Sequence, residues 1–91
     1  MANIIVSLKI MPESPEADLD DIETRSRELI TEYGGEIGKK TIEPVAFGLK
    51  SLNLVFVVDE NKGSTEELEK KIEAFDNVSS VEVTDVRRAV G

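Results

Sequence analysis

Hydrophobic and polar residues alternate from the start of the chain. Ile4, Val6, Leu8 and Ile10 fall on one face of an extended segment, and Ser7 and Lys9 fall on the other. A period of two predicts a half-buried strand. Met11-Pro12-Glu13-Ser14-Pro15 follows. Its two prolines are expected to end the strand, with Pro15 in the first turn of a helix, where a missing N–H costs little. From Asp18 the period becomes helical, with Leu19, Ile22, Ser26, Leu29, Ile30 and Tyr33 on one stripe. Asp18, Asp20 and Asp21 sit where the helix dipole favours negative charge. Gly34-Gly35 ends the helix.

Glu36 to Val45 is less regular. Ile37, Thr41, Ile42 and Val45 suggest a strand, while Lys39, Lys40 and Pro44 mark it as an edge. Ala46-Phe47-Gly48 reads as a turn. Leu52, Leu54, Phe56 and Val58 then share a face, with Val55 and Val57 also apolar, as expected of a central strand. Asp59 to Gly63 is a polar loop. Ser64-Thr65-Glu66-Glu67 matches a capping box opening a second helix, whose stripe is Leu68, Ile72 and Phe75. Asp76-Asn77 makes a turn. Val81 and Val83 alternate with Glu82 and Thr84 in a last strand running toward Arg87 and Arg88.

The order β-α-β-β-α-β predicts an α+β ferredoxin-like sandwich: a four-stranded antiparallel sheet with two helices on one face. The first and third strands, the most apolar, belong at its centre. No linker interrupts residues 1–91, so a single domain is expected.

Composition narrows the chemistry. The chain has no Cys and no His, which excludes disulfides, thiolate or imidazole catalysis, and Cys- or His-ligated metals. The formal net charge of −8 argues against nucleic acid as a ligand. The third strand also lacks the exposed aromatics of an RNA-binding sheet, since alternation places Phe56 with the core. The start has no basic region before an apolar run, and no segment is long enough to span a membrane. A cytoplasmic protein with no membrane attachment is expected.

The carboxylates form no catalytic pair. Those at the two helix starts suit capping and solvation, and Asp59-Glu60-Asn61 lacks the ligand spacing of a calcium loop. No catalytic residue, metal or cofactor is expected. Two features stand apart. Phe47 sits between small residues in a turn, so its ring either folds down onto the sheet end or protrudes. Arg87-Arg88 is either a charged edge or a cation carried on a rigid strand end toward an anion.

The segments Glu43 to Leu52, Val57 to Gly63 and Val81 to Arg88, with Met11 to Pro15, resemble translation elongation factor 1-beta, and within it the short archaeal form. The resemblance spans essentially the whole chain. It implies a guanine-nucleotide exchange factor, not an enzyme, which promotes GDP-for-GTP exchange on elongation factor 1-alpha and is a monomer when free. It also implies that Phe47 is a partner contact flanked by Glu43, Pro44 and Lys50. Arg88, with Arg87 beside it, falls where the eukaryotic relatives direct a lysine at the Mg²⁺ region. Arginine is planar and bulkier than an ammonium, so displacement of Mg²⁺ and pairing with a phosphate or carboxylate both stay open. The alternative reading, drawn from fold class alone, is a small-molecule-sensing or dimerising ferredoxin-like regulatory domain.

Overall fold

The two strands with the clearest alternation lie at the centre of the sheet. In a computed structural model, which describes residues 3–62 and 65–89, the strands are β1 (Asn3–Pro12), β2 (Glu36–Pro44), β3 (Lys50–Asp59) and β4 (Val78–Ala89). The helices are α1 (Leu19–Tyr33) and α2 (Glu66–Glu73), with 3-10 turns at Ala46–Gly48 and Glu60–Lys62. The sheet order is β2-β3-β1-β4, and every pairing is antiparallel. This is the ferredoxin-like arrangement expected, with β2 and β4 as edges.

The register aligns Val6 with Phe56, Leu8 with Leu54 and Ile10 with Leu52. All six are buried, because this face meets Ile22 and Ile30 of α1 and Leu68 and Ile72 of α2. Burying side chains of this size contributes about 1.5–3 kcal/mol each.

α1 begins at Asp18, whose carboxylate accepts from the backbone N–H groups of Asp20 and Asp21 at 3.0 and 3.2 Å. It ends at Gly34, which takes a left-handed φ of 102°. The N–H of Gly35 donates to the Ile30 carbonyl at 2.8 Å, completing the cap. Proline ends the first strand as expected, but Pro15 departs from its expected place. Pro12 is the buried last residue of β1, opposite Val78. Pro15 lies in the turn before α1, not in its first turn. An edge pairing with β4 explains the first, since Pro needs no N–H partner there. The expected capping box of α2 starts from Ser64, which lies outside the described residues.

Both edge strands slip register. In β2 the partners run Ile37–Phe56 and then Lys39–Val55, leaving Gly38 extra. In β4 they run Leu8–Val83 and then Ser7–Asp85, leaving Thr84 extra, with its hydroxyl donating to the Ser7 carbonyl at 3.3 Å. One extra residue inverts which side chains meet the helices. In β2 the inversion turns Lys40 toward α1, where Nζ lies 2.8 Å from Glu23 Oε1. Arg27 Nε approaches the other oxygen of Glu23 at 2.7 Å.

The Lys40 hydrogen bond is the largest influence on Glu23. Together with Arg27 it overcomes desolvation and holds the Glu23 carboxyl below its ordinary value of 4.5. A lowered folded value makes a contribution that is present above the unfolded value and lost as pH falls through the folded one. Glu23→Gln should therefore cost roughly 0.5–1 kcal/mol at neutral pH, and little once both forms are protonated. Denaturant midpoints at neutral and strongly acidic pH check this; an equal loss at both would refute it. Ser26 is fully buried, and among the described residues its Oγ has no hydrogen-bond partner. Ser26→Ala should raise unfolding free energy by about 1 kcal/mol, measured by urea titration.

Candidate functional site

The connection from β2 to β3 turns on small residues. The Val45 N–H donates to the Leu49 carbonyl at 2.7 Å, and the Leu49 N–H donates to the Ala46 carbonyl at 3.2 Å. Gly48 takes a φ of 77° without a Cβ penalty. Phe47 takes φ 60° and ψ 32°, the left-handed region, which a bulky side chain occupies at a cost of about 1–2 kcal/mol. The residue is 94% exposed. Of the two orientations open from sequence, the structure adopts the protruding one.

Pro44 and Lys50 stand directly opposite each other where β2 and β3 enter this turn, and both are exposed. Lys50 and Gly48 also border a cleft of about 360 Å³, whose other walls include Pro12, Pro15 and Asp18. Glu43 stands opposite Ser51, one residue before Pro44. Proline, aromatic and cation are thus gathered at one end of the sheet.

Arg87 and Arg88 are at the other end. They pair with Ile5 and Ile4 near the start of β1. Ten residues of β3 separate the ends, which at about 3.3 Å per residue is about 30 Å. The two arginines, adjacent in sequence, also diverge. Arg87 Nε contacts Asp85 Oδ2 at 2.7 Å, two residues back on the open face of the sheet. Arg88 Nη2 contacts Glu60 Oε2 at 2.6 Å, in the turn after β3. They do not form one cationic cluster, because successive strand residues point to opposite faces.

Glu60 is weighed from sequence only as part of a polar loop that lacks calcium-loop spacing and as part of the Val57–Gly63 segment, and neither foretells which arginine it meets. The slip at Thr84 makes that choice. Without it, Arg87 would share a face with Val81 and Val83; with it, Val86 and Arg88 do.

The described part of the chain thus forms a ferredoxin-like α+β sandwich with a projecting aromatic at one end and an arginine at the other. No helix among the described residues is long and apolar enough to cross a membrane. Residues 5–89 match the EF-1 guanine nucleotide exchange domain. The chain is 43% identical to elongation factor 1-beta of Methanothermobacter thermautotrophicus, over 97% of this chain and 98% of that one. It is also 43% identical to elongation factor 1-beta of Methanococcoides burtonii, over 99% and 100%. Among solved structures it resembles the de novo designed protein Foldit4, with a TM-score of 0.62, 17% identity and 98% of each chain covered. It also resembles the ACT domain from GTP pyrophosphokinase of Chlorobium tepidum, with a TM-score of 0.61, 17% identity and 89% and 97% covered. At those identities the structures share the fold alone.

The chain belongs to the family of EF-1 guanine nucleotide exchange domains. It is a guanine-nucleotide exchange factor of translation elongation, acting on elongation factor 1-alpha. The small-molecule-sensing alternative gives way to that membership.

The strain at Phe47 is separable from its use. Phe47→Gly should leave the fold as stable as the parent, or more stable by up to about 1 kcal/mol, because left-handed backbone costs glycine nothing. Phe47→Val should lose about 1–2 kcal/mol, since a β-branched residue tolerates this conformation worst. Denaturant titration of both variants checks this. A glycine variant clearly less stable than the parent would mean that the ring packs on the fold.

Proposed function

We propose that this chain releases GDP from elongation factor 1-alpha by protein contact alone, without making or breaking a covalent bond. In this reading Phe47 anchors one end of the sheet on the partner, with Pro44 and Lys50 flanking it. Arg88 works at the other end, on the anionic nucleotide site, and Arg87 flanks it on the open face. The observation that carries the reading is Phe47, which is 94% exposed on a left-handed backbone position. Stability alone would select glycine there, so a large aromatic on that backbone points to an outside ligand. Exposed aromatics with few rotatable bonds are the usual anchors of protein interfaces.

The energetics follow from linkage. A GTPase holds its nucleotide through phosphate contacts and Mg²⁺. A factor that binds the nucleotide-free partner more tightly must weaken nucleotide binding by the same ratio. Phe47 binds without touching the nucleotide, so its contribution is common to both states. Arg88 supplies the difference: a planar cation suits a phosphate or carboxylate oxygen better than it mimics a metal ion. The chain acts as a monomer in the cytoplasm, where translation takes place, and nucleic acid is not its ligand.

The test times release of a fluorescent GDP analogue from elongation factor 1-alpha against the concentration of this chain. Phe47→Ala should raise the half-saturating concentration by about tenfold or more with the maximal rate little changed. Arg88→Ala should lower the maximal rate by about tenfold and move the half-saturating concentration less. If neither variant changes either quantity, the assignment of these residues is wrong.

A further inference from the structure

Glu60 is held by its own turn. Asp59 ends β3, paired with Asn3, and its Oδ1 accepts the Asn61 N–H at 2.8 Å. At the far end of the turn the exposed Lys62 side chain lies over the C-terminal cap of α1. A Cβ built on Gly34 would meet Lys62 Cε at 2.7 Å. A cation there complements the negative end of the helix dipole. Glu60 is thus presented by a segment tied to β3 on one side by the Asp59–Asn61 hydrogen bond and lying against the end of α1 on the other. From that turn it reaches the guanidinium of Arg88 on β4 at 2.6 Å.

The contact is made by Nη2. The guanidinium has further N–H donors on Nε and Nη1, so an anion of the partner could be met while Glu60 stays in place. The Arg88 side chain is otherwise 71% exposed, at the end of an edge strand. A long side chain in that position would sample many rotamers, and each must be given up when it docks. We infer that Glu60 is the positioning residue for Arg88, fixing its guanidinium across the end of the sheet before the partner arrives. The inference rests on the reading of Arg88 as the cation that acts on the nucleotide site.

The release assay separates the two. Glu60→Ala should lower the maximal rate by about twofold to fivefold, the range open to an exposed ion pair, with the half-saturating concentration little changed. Glu60→Gln keeps an acceptor oxygen at the same reach and should recover part of the loss. In an Arg88→Ala background, Glu60→Ala should have no further effect. Each variant's thermal unfolding is measured alongside, so that a folding defect is recognised. If Arg88→Ala slows release but Glu60→Ala leaves the rate unchanged or raises it, the positioning role is overturned and the reading of Arg88 stands. An equal loss from Glu60→Ala with and without Arg88 also overturns it. If Arg88→Ala itself has no effect, the reading of Arg88 falls and the inference falls with it.

Discussion

The antiparallel pairing of β1 with β3 is the constraint on which the rest of the molecule depends. Val6, Leu8 and Ile10 meet Phe56, Leu54 and Leu52 across it, and all six are buried. A shift by one residue would turn each of those side chains to the open face. The burial of this face therefore fixes the register, and the register fixes the two ends of the sheet. Lys50 and Asp59, the ends of β3, carry the aromatic turn and the Glu60 turn respectively. What separates the Phe47 end from the Arg88 end is a strand whose length and alignment are dictated by hydrophobic burial.

The edges obey a different rule. They are not held by burial on both sides, so they can admit extra residues at Gly38 and Thr84. These two slips have the same consequence, unlike a third in β4 that leaves Ser79 extra: a basic side chain is turned toward the helix side and meets a glutamate there. Lys40 meets Glu23 on α1, and Arg88 meets Glu60 after β3. The first pair joins helix to sheet. The second joins the ends of β3 and β4 at one end of the sheet. Bulges also twist an edge away from pairing with another chain, so one device both protects the edge and aims a cation.

A factor without Cys or His has few chemical means. Its means are shape and charge carried on a rigid frame. The frame keeps an aromatic about 30 Å from an arginine, too far for the two to touch a single small ligand. The net charge of −8 is spread over helix starts and strand faces, while the cations named in the site sit at sheet ends and edges.

The order of elements, the central strands, the caps of α1 and the buried stripes were all readable from sequence, because period and capping chemistry are local properties. Leu19 to Tyr33 reads as a helix from spacing alone, and its limits are marked by the Asp18 carboxylate at one end and by the missing Cβ of Gly34 at the other. Phe47 could be singled out for its neighbours, Ala46 and Gly48, but not its direction. That depended on a left-handed backbone closed by the Val45–Leu49 hydrogen bond. The arginines show the limit most clearly. Adjacent residues on a strand must face opposite ways, and that much is legible. Which of them faces the helix side depends on the extra residue at Thr84, and a bulge arises from the fit of β4 against β1, not from a pattern within β4. The sequence by itself determined the sheet, its centre and its candidate residues. Only tertiary packing decided that Arg88 is the arginine that meets Glu60, because register is a relation between strands and has no local signature.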